Sequence, residues 1–317
     1  MDPAAAPHPV GQAAPDRAVR PDDAANGDPG VGGRASDPDE YRAENLTRWE
    51  ASAAGWARRR EGFQAAALPV SRWLVEATHP QPGHRVLELA AGPGDTGLLA
   101  AELVAPGGIL ISSDAAEPMV DVARRRAGEL GIENVEFRVL DAEWIDLPTA
   151  DIDGVLCRWG YMLLADPDAA LRETRRVLRP GGRIALATWA APEHNPFFTI
   201  RGQELRRRGL GGPPPAPDAP GPFALSDPHR VSDRLAGAGF TGILVEELAI
   251  TLRFASFEEL WDTSRDLGVE FRRLTLAAGP EVTDDLRQTL ATAYEPFTAA
   301  DGSLAVPGLV LVAAADA

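Results

Sequence analysis

Lysine is absent from these 317 residues, so every strongly basic side chain is an arginine. The arginines do not balance the acids, and the formal net charge is −16. Such a surface repels polyanions, so neither nucleic acid nor an anionic membrane is expected as the main partner. Cysteine is nearly absent as well. Cys157 stands alone, which excludes an internal disulfide and points to a reducing, cytoplasmic setting. No group of Cys and His has metal-ligand spacing, so no metal is expected. No apolar run is long enough to span a bilayer, and the N-terminus lacks a basic-then-apolar signal pattern.

What is present suffices for a large core: 44% of the residues are hydrophobic. Residues 1–40 are Ala, Pro, Gly and Asp with almost no bulky apolar side chain, and are expected to be a disordered tail. Residues 41–317 are expected to form one domain. Its organising stretch is Arg85-Val-Leu-Glu-Leu-Ala-Ala-Gly-Pro-Gly-Asp-Thr-Gly97. A short apolar run, Val86 to Leu89, reads as a buried strand. A glycine turn follows, and Leu98 to Leu103 continues as a helix. Glycine keeps that turn free of Cβ atoms, and the helix start offers free N–H groups. Gly92-Pro-Gly94-Asp-Thr-Gly97 also satisfies the G-x-G-x-x-G pattern, which alone fits either a nicotinamide dinucleotide or another adenosine cofactor. Two details bear on that choice: Glu88 closes the strand, and Ala90 replaces glycine at the first close-turn position.

Two more strands end in acids. Ile109 to Asp114 places Asp114 20 residues after Gly94, where a carboxylate can accept both ribose hydroxyls. Val135 to Asp141 ends in a second acid, one βα unit further on.

Glu-Leu-Ala-Ala-Gly-Pro-Gly-Asp, Asp141-Ala-Glu-x-x-x-Leu-Pro and Arg176-Val-Leu-Arg-Pro-Gly-Gly-Arg183 together resemble class I S-adenosylmethionine methyltransferases. The resemblance is greatest to the quinone-biosynthesis C-methyltransferase-like branch. It implies a Rossmann-like α/β fold with a seven-stranded, mostly parallel sheet whose last strand is antiparallel and inserted between the fifth and sixth. It implies S-adenosylmethionine as cofactor, with Glu88 serving its methionine end and Ala90, Gly92 and Gly94 forming the turn. Asp114 would hold the ribose, Met119 would lie near the adenine, and Asp141 with the Ala142 N–H would read the adenine edge. Arg158 matches an Arg of that branch, while Trp159 departs from its Asn. The Asn/Asp-Pro-Pro-aromatic signature of base and glutamine N-methyltransferases is absent. A small-molecule acceptor is therefore expected, methylated on O, N or C. The alternatives are an NAD(P)-dependent oxidoreductase using the same glycine turn, or a non-catalytic S-adenosylmethionine-binding module.

Two helices are expected ahead of the first strand, one over Glu44–Phe63 and a second begun by Pro69. Residues 41–80 would form a lid in which Trp49, Trp56 or Phe63 walls the pocket and attracts a sulfonium through its ring face. After the fifth strand, the loop Ala190–Phe198 carries His194, the side chain best suited to take a proton near neutral pH. Tyr161, beyond the fourth strand, is a second acid/base or orienting candidate. Residues 255–302 are largely helical and are expected to cap the substrate side.

Overall fold

The computed structural model describes residues 37–317 except 214 and 217. Residues 1–36 of the expected tail lie outside the described residues. The remaining four open a helix, because Asp37 caps it by accepting from the Asp39 N–H and Pro38 supplies the first helical φ.

That helix, α1 (Pro38–Ala77), corrects the two-helix expectation. It runs unbroken for 40 residues with Pro69 inside it. Pro69 cannot donate to the carbonyl of Ala65, but both residues face solvent, where water can replace the lost bond. The neighbours Ala66, Ala67, Val70, Ser71 and Leu74 are buried and hold the rod down. Trp49, Trp56, Phe63 and Val70 recur every seven residues and so share one face. Leu46, three residues before Trp49, is exposed.

The sheet is built from β1 (Arg85–Glu88), β2 (Ile109–Asp114), β3 (Val135–Val139), β4 (Ile152–Arg158), β5 (Leu178–Trp189), β6 (Thr241–Phe254) and β7 (Leu304–Asp316). Its order is β3-β2-β1-β4-β5-β7-β6. The first five are parallel, while β7 sits between β5 and β6 and runs antiparallel to both, as the resemblance implied. Helices α2 (Asp95–Val104), α3 (Glu117–Leu130), α4 (Pro167–Val177) and α6 (Pro228–Gly237) connect the strands. In α4 and α6 an Asp caps the N-terminus and a Pro follows. The Arg179-Pro-Gly-Gly turn closes the opposite end of the sheet, where Arg179 pairs with buried Asp153 at 2.6 Å.

A second core lies beside the sheet core. It joins Phe197 and Leu205 of α5 (Pro196–Arg207) to Leu252 and Phe254 of β6, and to Leu260, Trp261, Phe271, Leu286 and Leu290. The last five come from α7 (Phe257–Leu267), α8 (Val269–Ala278) and α9 (Pro280–Ala293), which fill the expected helical insertion. Helix α5 itself had no counterpart among the sequence expectations. Among the described residues no helix is long and apolar enough to cross a membrane.

Candidate active site

The carboxyl ends of β1, β2 and β4 meet at the glycine turn. Gly94 adopts φ +81° at the start of α2, a conformation that suits glycine. At Gly92 an added Cβ would meet nothing within 4 Å, so the turn opens on free space. Asp114 closes β2 and is half-buried. It accepts from the Gly92 N–H at 2.9 Å and the Ala116 N–H at 3.0 Å, and burial pushes its pKa up. Both oxygens keep lone pairs, so the carboxylate can still accept two hydroxyls. Asp141 is exposed just beyond the end of β3 and accepts from the Glu143 N–H at 2.8 Å. Met119 is buried against Ala53 and Ala116, with Trp49 and Trp56 of α1 packed over them. The N-terminal half of α1 thus roofs the ground just beyond Asp114.

Glu88 departs from its expected role. It is 3% exposed, and its carboxylate faces the protein. It accepts from the Gly97 N–H at 2.8 Å and from the Ser112 hydroxyl at 3.3 Å. A Cβ at Gly97 would sit 2.3 Å from its Oε2, so glycine there makes room for the acid. Glu88 caps α2 from beneath, and burial pushes its pKa up to about 7.

Arg158 also turns inward. It donates to Gln64 Oε1 at 3.0 Å and Ser71 Oγ at 2.9 Å, both on α1. Arg60 of α1 pairs with Asp95 at 3.1 Å, and the Ser71 and Thr96 hydroxyls lie 3.0 Å apart. Arg158 therefore ties the roof to the strand ends. Asp95, Arg60, Gln64 and Ser71 were not among the expected site residues. Their signal was weak, because the pairs Arg60–Asp95 and Gln64–Arg158 span 35 and 94 residues.

Two non-glycine residues hold left-handed backbone at this spot, Ala90 at φ +50° and Trp159 at φ +61°. Such conformations cost of order 1–2 kcal/mol and persist where the surroundings impose them. Here the imposing contact is visible: a Cβ on Gly160 would lie 2.5 Å from Cys157 Sγ and 2.7 Å from Ala90 Cβ. The β1 and β4 loops touch with no spare space.

Trp159 stacks on Trp189 of β5 with ring centroids 4.7 Å apart and planes 4° from parallel. Phe63 of α1 meets Trp159 in an edge contact at 5.3 Å, and Trp56 lies 5.0 Å from Phe63. The indole N–H groups of Trp56 and Trp159 are buried with no hydrogen-bond partner. Unpaired buried donors are costly, and both sit on the roof and wall of the glycine-turn cleft. Together with the open face of Gly92 and the free lone pairs of Asp114, they fit a bound molecule that carries acceptors and hydroxyls.

The two acid/base candidates are corrected. Tyr161 is 1% exposed and its hydroxyl bonds Thr174 Oγ1 at 2.6 Å inside the core, so burial drives its pKa well above the ordinary value. His194 is exposed on a short 3-10 turn, Pro192–His194. Its neighbour Asn195 is the buried one. Asn195 donates to the carbonyls of Ala190 and Leu309 and accepts from the Leu309 N–H, pinning the loop to β7.

A methyltransferase-domain family profile matches residues 80–206. The ubiquinone/menaquinone biosynthesis C-methyltransferase UbiE of Cellvibrio japonicus is 36% identical over 129 residues, covering 40% of this chain and 51% of that protein. The chain thus spans about half the length of the quinone-pathway relatives it matches. The nocamycin O-methyltransferase of Saccharothrix syringae is 32% identical over 250 residues, covering 73% of this chain and 87% of that protein. In fold, a candidate methyltransferase from Bacillus halodurans superposes with a TM-score of 0.52 at 20% identity, covering 78% of this chain and 97% of that one.

Proposed function

Because the chain belongs to the class I S-adenosylmethionine-dependent methyltransferases, related to UbiE, we propose that it transfers a methyl group from S-adenosylmethionine to an O, N or C atom of a small-molecule acceptor. The observation that carries this reading is Asp114, half-buried at the β2 end with lone pairs to spare beside the open Gly92 turn. In this reading Asp114 accepts the two ribose hydroxyls. Asp141 and the Ala142 N–H read the adenine edge, and Met119 with Trp49 and Trp56 gives it an apolar bed. Gly92 and Gly94 let the backbone come close, while Ala90 shapes the turn.

S-adenosylmethionine supplies an electrophilic methyl group on a sulfonium that is already a good leaving group. The chain's contribution is then to align the acceptor and keep water out. Phe63, Trp159 and Trp189 line the dry side, and the ring faces favour a cation. Arg158 and Arg60 hold the roof closed rather than touching the acceptor. No general base is invoked, since Tyr161 is engaged in the core and His194 faces solvent. A cytoplasmic setting, free of nucleic acid and membrane, accords with the charge of −16 and the single cysteine.

Calorimetric titration with S-adenosylhomocysteine, S-adenosylmethionine and NADH tests this. The first two should bind and NADH should not. Asp114→Ala should weaken S-adenosylhomocysteine binding by about 1–3 kcal/mol, as for a charged hydrogen-bond partner lost from a buried site. Binding of NADH alone would mean that the glycine turn serves a dinucleotide.

A further inference from the structure

From Pro38 to Ala51 the first turns of α1 bury no side chain completely. Tyr41, Arg42, Asn45 and Trp49 are half-buried, and the rest face solvent. Trp49 packs on the small cluster of Ala53, Ala116 and Met119. A helix end held so lightly frays, because helical stability in proteins comes mostly from an apolar face packed on the core. The other three side chains find polar partners instead. Arg42 donates from Nε and from a terminal nitrogen to Glu143 Oε2, at 2.9 and 2.6 Å. The Tyr41 hydroxyl donates to the Leu163 carbonyl at 2.8 Å, and the Asn45 amide to the same oxygen at 3.3 Å. Arg42 also reaches Asp39 at 2.7 Å, but that pair lies within the helix and its acid is exposed, so it contributes little.

Glu143 is the point where these contacts meet. Its side chain is 8% exposed, and both oxygens are in use. Oε2 takes Arg42, while Oε1 accepts from the Ala165 and Asp166 N–H groups at 2.9 and 3.1 Å. Its own N–H donates to Asp141 Oδ1 at 2.8 Å. One residue thus joins the start of α1, the loop after β3 that carries Asp141 and Ala142, and the loop between β4 and α4. A buried carboxylate with a cation and two N–H donors is compensated, and its position is fixed by them. Arg42, Trp49 and Trp56 follow at intervals of seven residues, so the hold on Arg42 is applied to the same helix face that roofs the ground beyond Asp114.

Granted the methyl-transfer reading above, we infer that Glu143 is a positioning residue that clasps the first turns of α1 over the adenine-reading loop and so sets how long the cofactor stays bound. Glu143 does not touch the ligand. Its N–H aims Asp141, and its carboxylate holds down the roof that must rise for the adenosyl group to leave.

Stopped-flow displacement of S-adenosylhomocysteine from the full chain tests this. Arg42→Gln and Glu143→Gln should each speed release about fivefold, the worth of a half-exposed charge-assisted pair. Association should change by less than about twofold, since affinity differences within one complex fall mostly on dissociation. Arg42→Lys keeps the charge and should keep most of the slow release. The double variant should release no faster than either single one, because both break the same link. Hydrogen exchange in the free chain gives a second readout: the amides of residues 41–50 should exchange faster in both variants, and those of β4 at the wild-type rate. The Arg42 side chain is 37% exposed, so Arg42→Gln undoes the clasp without opening a buried site. Unchanged release or unchanged exchange over residues 41–50 in Arg42→Gln, or effects that add up in the double variant, would overturn the inference. If the wild type fails to bind S-adenosylhomocysteine, the methyl-transfer reading falls and the inference with it. If it binds and the variants release it at the wild-type rate, the clasp alone falls.

Discussion

At the β1–β2–β4 side of the cleft, the carboxylates at the strand ends are held by backbone N–H donors. Asp114 is fixed by Gly92 and Ala116, Asp141 by Glu143, and Glu88 by Gly97. On the β6 side the walls are side chains from helices far apart in the chain, joined by ring contacts and ion pairs such as Arg58–Asp266. The first half is a pre-set cradle whose parts cannot be moved singly. The second is an assembly of exchangeable walls. A shared, unvarying ligand suits the cradle, and a ligand that differs between relatives suits the walls.

The contrast would be broken hardest by Gly160→Ala. The new Cβ would press on Cys157 and Ala90, whose loop already sits at φ +50°. Overpacking of this kind costs about 1–3 kcal/mol, so the urea midpoint should fall and S-adenosylhomocysteine affinity with it. An unchanged midpoint would show that the two loops have slack and that the cradle is not rigid.

A smaller effect is expected from Glu88→Gln, read as the difference in thermal midpoint from the wild type across pH. Burial raises the Glu88 pKa from its ordinary 4.5 to about 7, so the folded state favours the protonated acid. Its stabilising contribution is full below 4.5 and is lost as pH rises through about 7. Glutamine cannot lose that proton, so the wild type should fall behind the variant over this interval. A difference that stays flat would show that Glu88 remains ionised throughout.

The least effect belongs to His194→Ala. The ring is exposed and has no hydrogen-bond partner among the described residues, so turnover and cofactor affinity should both stay at the wild-type level. A slowed reaction with intact cofactor binding would bring His194 back to the acceptor.

The same division governs what could be read from the amino acids. The strand ends were legible because their chemistry is local: a glycine turn, an acid at the end of an apolar run, a Pro-Gly-Gly stop. The antiparallel β7 inserted between β5 and β6 followed from the resemblance those motifs carry. Other features were not legible. Pro69 suggested a break in α1, but its carbonyl partner faces water, and burial on either side decided the matter. Arg158 was read as a cofactor residue because it closes a strand and matches an Arg of the resembling branch, yet its partners Gln64 and Ser71 lie 94 and 87 residues upstream. Tyr161 lay at the right strand end, but the left-handed turn at Trp159 carries the chain inward and delivers its hydroxyl to Thr174. Trp49, Trp56 and Phe63 were marked by their spacing, whereas the contact of Phe63 with Trp159 was set by folding alone.

Helix α1 is about 60 Å long at 1.5 Å per residue, and it serves both halves at once. Its Trp56 roofs the ground beyond Asp114, and seven residues later its Phe63 meets Trp159 beside the β4 end. A rod that borders both places cannot shift at one without disturbing the other. The kinetic consequence is a compulsory order: the adenosyl ligand enters first, the acceptor adds only after the rod has settled, and the two products leave in reverse. Initial-rate plots should then show S-adenosylhomocysteine competing with S-adenosylmethionine alone, with the methylated product competing with neither at saturating donor.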